Sequence, residues 1–142
     1  MKTLKLFLFA FLLTGLSSVY AQDAKSQTGN SNENFATLHI YRNCPMGFAI
    51  VYDLFIEDRL IGRVKNKWYV PVRIYEEGVI TLWAKTEVKK EQSVFVEFGK
   101  DYYVRCCVSM GAFVGHPHFE LVDEQTGKSE IQKFSGKKKK NK

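Results

Sequence analysis

Histidine and cysteine are scarce in this chain, with three of each among 142 residues. That scarcity limits metal and nucleophilic chemistry, because one zinc site alone takes three or four ligands in tetrahedral array. Long apolar runs are lacking too. The one that stands out, Leu6 to Leu16, is shorter than the roughly 20 residues of a membrane-crossing helix, and no later segment approaches that length. There is no internal repeat and no phosphate loop. The glycine-containing connector Met110 to Gly115 has neither the spacing nor the Lys-Ser/Thr ending that phosphate binding requires. No cysteine stands at the expected cleavage point after the apolar run, so the usual bacterial lipid-anchoring signal is not expected.

What is present begins with an address. Lys2 and Lys5 precede the apolar run, and Val19 and Ala21 are small enough for the last positions before a cleavage site. Residues 1–21 therefore read as a secretory signal peptide. The mature chain is expected to start near Gln22 and to reside in the periplasm or outside the cell, associated with the envelope. Residues 22–34 hold almost nothing apolar and read as a disordered linker. Residues 35–134 have the size of a single domain, and residues 135–142 form a lysine-rich, disordered tail.

Charge divides along the same boundaries. The whole chain is +6, but Lys2, Lys5, Lys137, Lys138, Lys139, Lys140 and Lys142 all lie in its ends. Without them residues 22–136 carry one net negative charge. Nucleic-acid binding is thereby disfavoured, since it wants basic residues spread over a folded face. The tail lysines suit weak contact with an anionic surface, each contributing about 1 kcal/mol beside an acidic membrane.

Hydrophobic periodicity in the body is two. Leu38 and Ile40 alternate with polar neighbours in Ala36 to Arg42, and Tyr52, Leu54 and Ile56 do so in Ile50 to Glu57. A turn at Asp58-Arg59 precedes Leu60 to Lys65. Trp68, Val70, Val72 and Ile74 form the next row, where Pro71 lacks a backbone donor and predicts an edge strand. Ile80, Leu82 and Ala84, then Val94, Val96 and Phe98, continue the inward pattern. Gly99-Lys100-Asp101 reads as a hairpin turn into Tyr102, Val104, Cys106 and Val108, and Phe119 and Leu121 close the series. Seven or eight short strands without an earlier amphipathic helix predict an all-β, antiparallel two-sheet sandwich, immunoglobulin-like or transthyretin-like. Glu124 to Phe134 admits a short helix or another strand, with Gly127 opposing a long helix.

The cysteines sit on different faces. Alternation places Cys106 inward with Val104 and Val108, and Cys107 outward with Tyr103, Arg105 and Ser109. In an oxidising compartment Cys44 can pair with Cys107, leaving Cys106 a buried thiol, or with Cys106, or not at all. The Cα separation of about 4.4 to 6.8 Å that decides is not contained in the spacing. His116 and His118 share a strand face by their i, i+2 spacing, and His39 or Cys107 would be the further ligand of a metal site. The same two histidines would be the base for a Cys107 nucleophile. In the connector, Gly111 and Gly115 permit close backbone approach, and Phe113 and Tyr103 offer aromatic surface. Tyr103, Phe113, His116 and His118 are therefore the candidate interaction surface.

The order of the motifs carries a family likeness. The T-L-H-I-Y-R strand at Thr37, Y-D-L-F-I-E-D-R-L-I-G at Tyr52, A-K-T-E at Ala84, F-G-K-D-Y-Y-V-R at Phe98, G-x-F-V-G-x-P at Gly111 and F-E-L-V-D at Phe119 resemble the DUF2846 family. The resemblance covers about Ala36 to Ile131. It implies a small β-sandwich of exported bacterial proteins, often lipoproteins, with no established activity, and it carries no catalytic residues onto this chain. The sequence therefore predicts an exported, non-catalytic envelope module without a cofactor, whose partner is an envelope protein or glycan. The alternative is a thiol-dependent or metal-binding enzyme using Cys107 with His116 and His118.

Overall fold

The structure, a computed structural model, describes residues 34–111 and 115–135. The expected signal peptide, nearly all of the expected linker, Phe113 and the tail lysines lie outside the described residues. The chain forms β1 (Ala36–Arg42), β2 (Tyr52–Ile56), β3 (Arg59–Val64), β4 (Trp68–Ile74), β5 (Gly78–Lys85), β6 (Lys89–Val96), β7 (Asp101–Met110), β8 (Gly115–Val122) and α1 (Glu124–Ser135). These strands make two four-stranded sheets, ordered β4-β1-β7-β8 and β3-β2-β5-β6. The protein is thus an all-β two-sheet sandwich carrying one terminal helix. Its strand order differs from the ABED and CFG sheets of an immunoglobulin constant domain, and β1 with β7 pairs in parallel where antiparallel pairing was expected.

Alternation explains the core. Leu38, Ile40, Leu54, Ile56, Val72, Ile74, Ile80, Leu82, Val94, Val96, Val104, Cys106, Val108 and Phe119 all turn inward and are buried between the sheets. Each large apolar side chain so removed from water contributes roughly 1.5–3 kcal/mol before the entropy of ordering is counted. Pro71 lies in β4, which is an edge strand, so its missing donor costs no bond in the sheet interior. Leu121, expected to close the inward row, is exposed at the end of β8.

Two expectations about β7 fail. The Gly99 turn does not close a hairpin, because β6 and β7 belong to different sheets. Its backbone is bonded to the start of β1, with Gly99 N donating to Phe35 O at 2.9 Å and Thr37 N donating to Lys100 O at 3.0 Å. The chain thereby crosses to the other sheet and lays β7 beside β1.

The second concerns the outer face of that sheet. Tyr41 and Tyr103, both on the outward phase of their strands, are buried with Phe134 in a second cluster beneath α1. Gly127 stands inside that helix for a local reason: a Cβ there would come within 2.6 Å of the Tyr103 Cβ. Helix propensity yields here to close packing. Asp123 caps the helix, accepting from Thr126 N at 2.9 Å and from Thr126 Oγ1 at 2.7 Å. Those bonds hold its carboxyl below the usual carboxylate range. Glu130 ties the middle of the helix to the sheet, accepting from Tyr41 Oη at 2.6 Å and from Arg105 Nη1 at 2.7 Å.

Candidate functional site

The strand registers bring four connections to one end of the sandwich. Arg42 lies opposite Trp68, Tyr52 opposite Val64, Lys85 opposite Lys89, and Met110 opposite Gly115. A bond from Thr86 Oγ1 to Gly115 O, 2.7 Å, ties the two sheets together there. The β1–β2 loop, residues 43–51, folds over this end.

Arg42 organises that loop. It falls on the inward phase of β1 after Leu38 and Ile40, and it is 0% exposed. A guanidinium removed from water must find partners. Arg42 donates through Nη1 to Ile50 O at 2.7 Å and through Nη2 to Gly47 O at 2.5 Å, and it lies over the Tyr52 ring at 5.5 Å. Its Nε has no hydrogen-bond partner among the described residues. The planar fork thus holds two carbonyls of one turn at once through two nitrogens in fixed relative geometry, where a lysine would offer a single rotatable ammonium. Gly47 completes the fit, since its φ is +65° and a Cβ would stand 2.9 Å from Val108 Cβ.

A disulfide adds a second clamp. Cys44 is joined to Cys107, with Cα atoms 5.8 Å apart, and Cys106 is a buried free thiol. Burial pushes the Cys106 thiol well above its ordinary value, only partly offset by the Arg42 charge. It is therefore kept protonated and is no nucleophile at neutral pH. Cys107, bonded through its sulfur, offers no free thiol either.

The clamped loop presents an apolar tip. Met46 and Phe48 are 57% and 69% exposed, and Val51, Val88 and Met110 stand exposed at the same end. Gly115 packs under the loop, where a Cβ would come within 2.8 Å of Val108 Cγ1.

The other expected site residues disperse. His118 lies opposite Cys107 and His116 opposite Ser109, so these histidines do share the outer face of β8. His116 Nδ1 is buried without a partner among the described residues. His39 is opposite Tyr103, four residues along β7 from Cys107 and so roughly 13 Å away. Among the described residues no cluster of three or more His, Cys, Asp or Glu is placed to hold a metal. Tyr103, expected on an interaction surface, is 3% exposed under α1, because Gly127 lets the helix backbone settle on its ring.

His39 instead belongs to a cleft between α1 and the sheet. Its ring stacks on Tyr103 with centroids 4.6 Å apart and lies parallel to Tyr69 at 6.1 Å. Nδ1 is 2.9 Å from Tyr69 Oη, and Nε2 is 3.3 Å from Asp101 Oδ1. Lys128, Ile131 and Gln132 complete a cavity of about 280 Å³. Both imidazole nitrogens are engaged, so the ring works as a clamped structural element. The sequence reading missed Arg42, whose signal was a charged residue on an inward strand phase.

No family model matches the chain. No solved structure matches it. A Haemophilus influenzae protein described as uncharacterized is 29% identical over 133 residues, covering 92% of this chain and 77% of that protein.

Proposed function

We propose that this protein is an exported, non-catalytic β-sandwich module of DUF2846 type that works at the cell envelope by contact, through its clamped loop end. One observation carries the reading: a fully buried arginine and a disulfide both hold a loop whose tip, Met46 and Phe48, faces solvent. An arginine is costly to desolvate, and here its side-chain bonds go to the backbone of that loop. Binding residues are characteristically carried on loops positioned by a rigid scaffold. Export is supported by the charged and apolar start of the chain and by a disulfide, a bond that persists in oxidising compartments.

The test is retention on isolated envelopes. The paired substitution Met46→Ser with Phe48→Ser is expected to lower retention at least tenfold, each side chain being worth roughly tenfold when buried. Phe95→Ser, on an exposed site of β6 away from the loop end, is expected to leave it unchanged. Equal retention of the loop variant and the parent protein would sink the reading.

A further inference from the structure

The two ends of the sandwich differ in charge as well as in apolarity. The loop end carries the exposed cations Lys65, Lys67, Lys85 and Lys89 together with Met46, Phe48, Val51, Val88 and Met110, and its acids are Glu87 and Glu91, the latter paired with Lys89. Arg63 and Asp53 pair with each other there. At the opposite end the balance reverses. Glu57, Asp58, Glu76, Glu77, Asp101 and Asp123 are exposed there and outnumber Arg59, Arg73 and Lys100. The folded body, almost neutral in total, is therefore polarised along its strands.

We propose that the loop end docks on an anionic lipid bilayer, which names the partner of the contact reading and rests on it. An exposed apolar tip at the end of the sandwich that also carries exposed lysines matches the chemistry of such a surface. The side chains of Phe48 and Met46 enter the headgroup and acyl boundary, and the lysines remain at the level of the lipid phosphates. Each lysine held near the surface raises partitioning about fivefold. The acidic pole faces away from the negative surface, so the same charge distribution that attracts the loop end also orients the molecule. Because Arg42 and the Cys44–Cys107 bond already order the loop, insertion loses little conformational freedom. A recessed apolar pocket would have suited a protein anchor better; Met46 and Phe48 project instead.

Protein-free vesicles test the proposal. The chain from Gln22 onward is sedimented with vesicles of phosphatidylglycerol mixed with phosphatidylcholine, and with vesicles of phosphatidylcholine alone. Strong partitioning is expected only in the first. Met46→Ser with Phe48→Ser should reduce it on the order of a hundredfold, and Lys65→Gln with Lys67→Gln about twenty-fivefold. Circular dichroism checks that both variants are folded, as exposed substitutions should be. Equal partitioning of parent and loop variant, or none by the parent, overturns the proposal. Retention on whole envelopes without binding to vesicles would overturn the lipid assignment and leave the contact reading standing, with a protein or glycan as partner. Loss of both would remove both.

Discussion

The outer faces of the two sheets carry similar residues and meet different fates. On β4-β1-β7-β8 the outward tyrosines Tyr41 and Tyr103 are buried beneath α1. On β3-β2-β5-β6 the outward Phe55 and Trp83 stack at 4.2 Å, nearly parallel, with Lys89 4.7 Å from the Trp83 ring, and among the described residues no helix lies over them. The aromatic character of a strand face therefore does not decide whether it is covered. Chain connectivity does: α1 follows directly from β8, an edge strand of the first sheet, and a 12-residue helix about 18 Å long can reach only that face. The open face compensates locally. Trp83 Nε1 donates to Glu57 O at 2.7 Å, and cross-strand stacking removes part of both rings from water.

Gly127 offers the strongest way to break this contrast. In an exposed helix, glycine to alanine stabilises by about 1 kcal/mol. Gly127→Ala is expected instead to destabilise by about 1–3 kcal/mol, because the new methyl group meets Tyr103. Denaturant melts read the sign directly, and a gain in stability would mean that the helix is not seated on the ring.

Alkaline titration gives a second, smaller effect. Burial first, then the negative charges of Asp101 and Glu124, push the Tyr103 hydroxyl from 10.0 up to about 12. The folded pKa is raised, so the contribution is whole below pH 10 and is lost as the pH rises through about 12. Tyrosinate absorbance and helical circular dichroism should therefore change together in that window. In Tyr103→Phe the helix should persist to higher pH; an unchanged profile would assign the transition elsewhere.

The open face should respond least. Trp83→Ala is expected to cost about 0.5–1 kcal/mol, the value of a cross-strand pair. A loss matching that of Gly127→Ala would show that this face is a core as well.

Much of the sandwich was legible because a strand's face is set by its own sequence. Leu38, Leu54, Leu82 and Val104 were assigned inward by alternation, and all are buried. Pro71 correctly indicated an edge. The Gly99 turn was misread because a short turn looks the same whether the next strand pairs with its neighbour or crosses to β1. Of the candidate interaction surface, His116 and His118 share a face, Phe113 lies outside the described residues, and Tyr103 is covered. Arg42 escaped notice because burial of a charge depends on acceptors supplied by folding, here Gly47 O and Ile50 O.

The sequence by itself determined the period-two strands, the inward rows and the inward and outward sides of Cys106 and Cys107, since each follows from neighbours a few residues apart. Only the tertiary structure decided that Cys44 joins Cys107 across 63 residues, that β7 lies beside β1, and that α1 covers Tyr41 and Tyr103. These outcomes rest on which distant segments meet, and a spacing along the chain does not contain a distance in space.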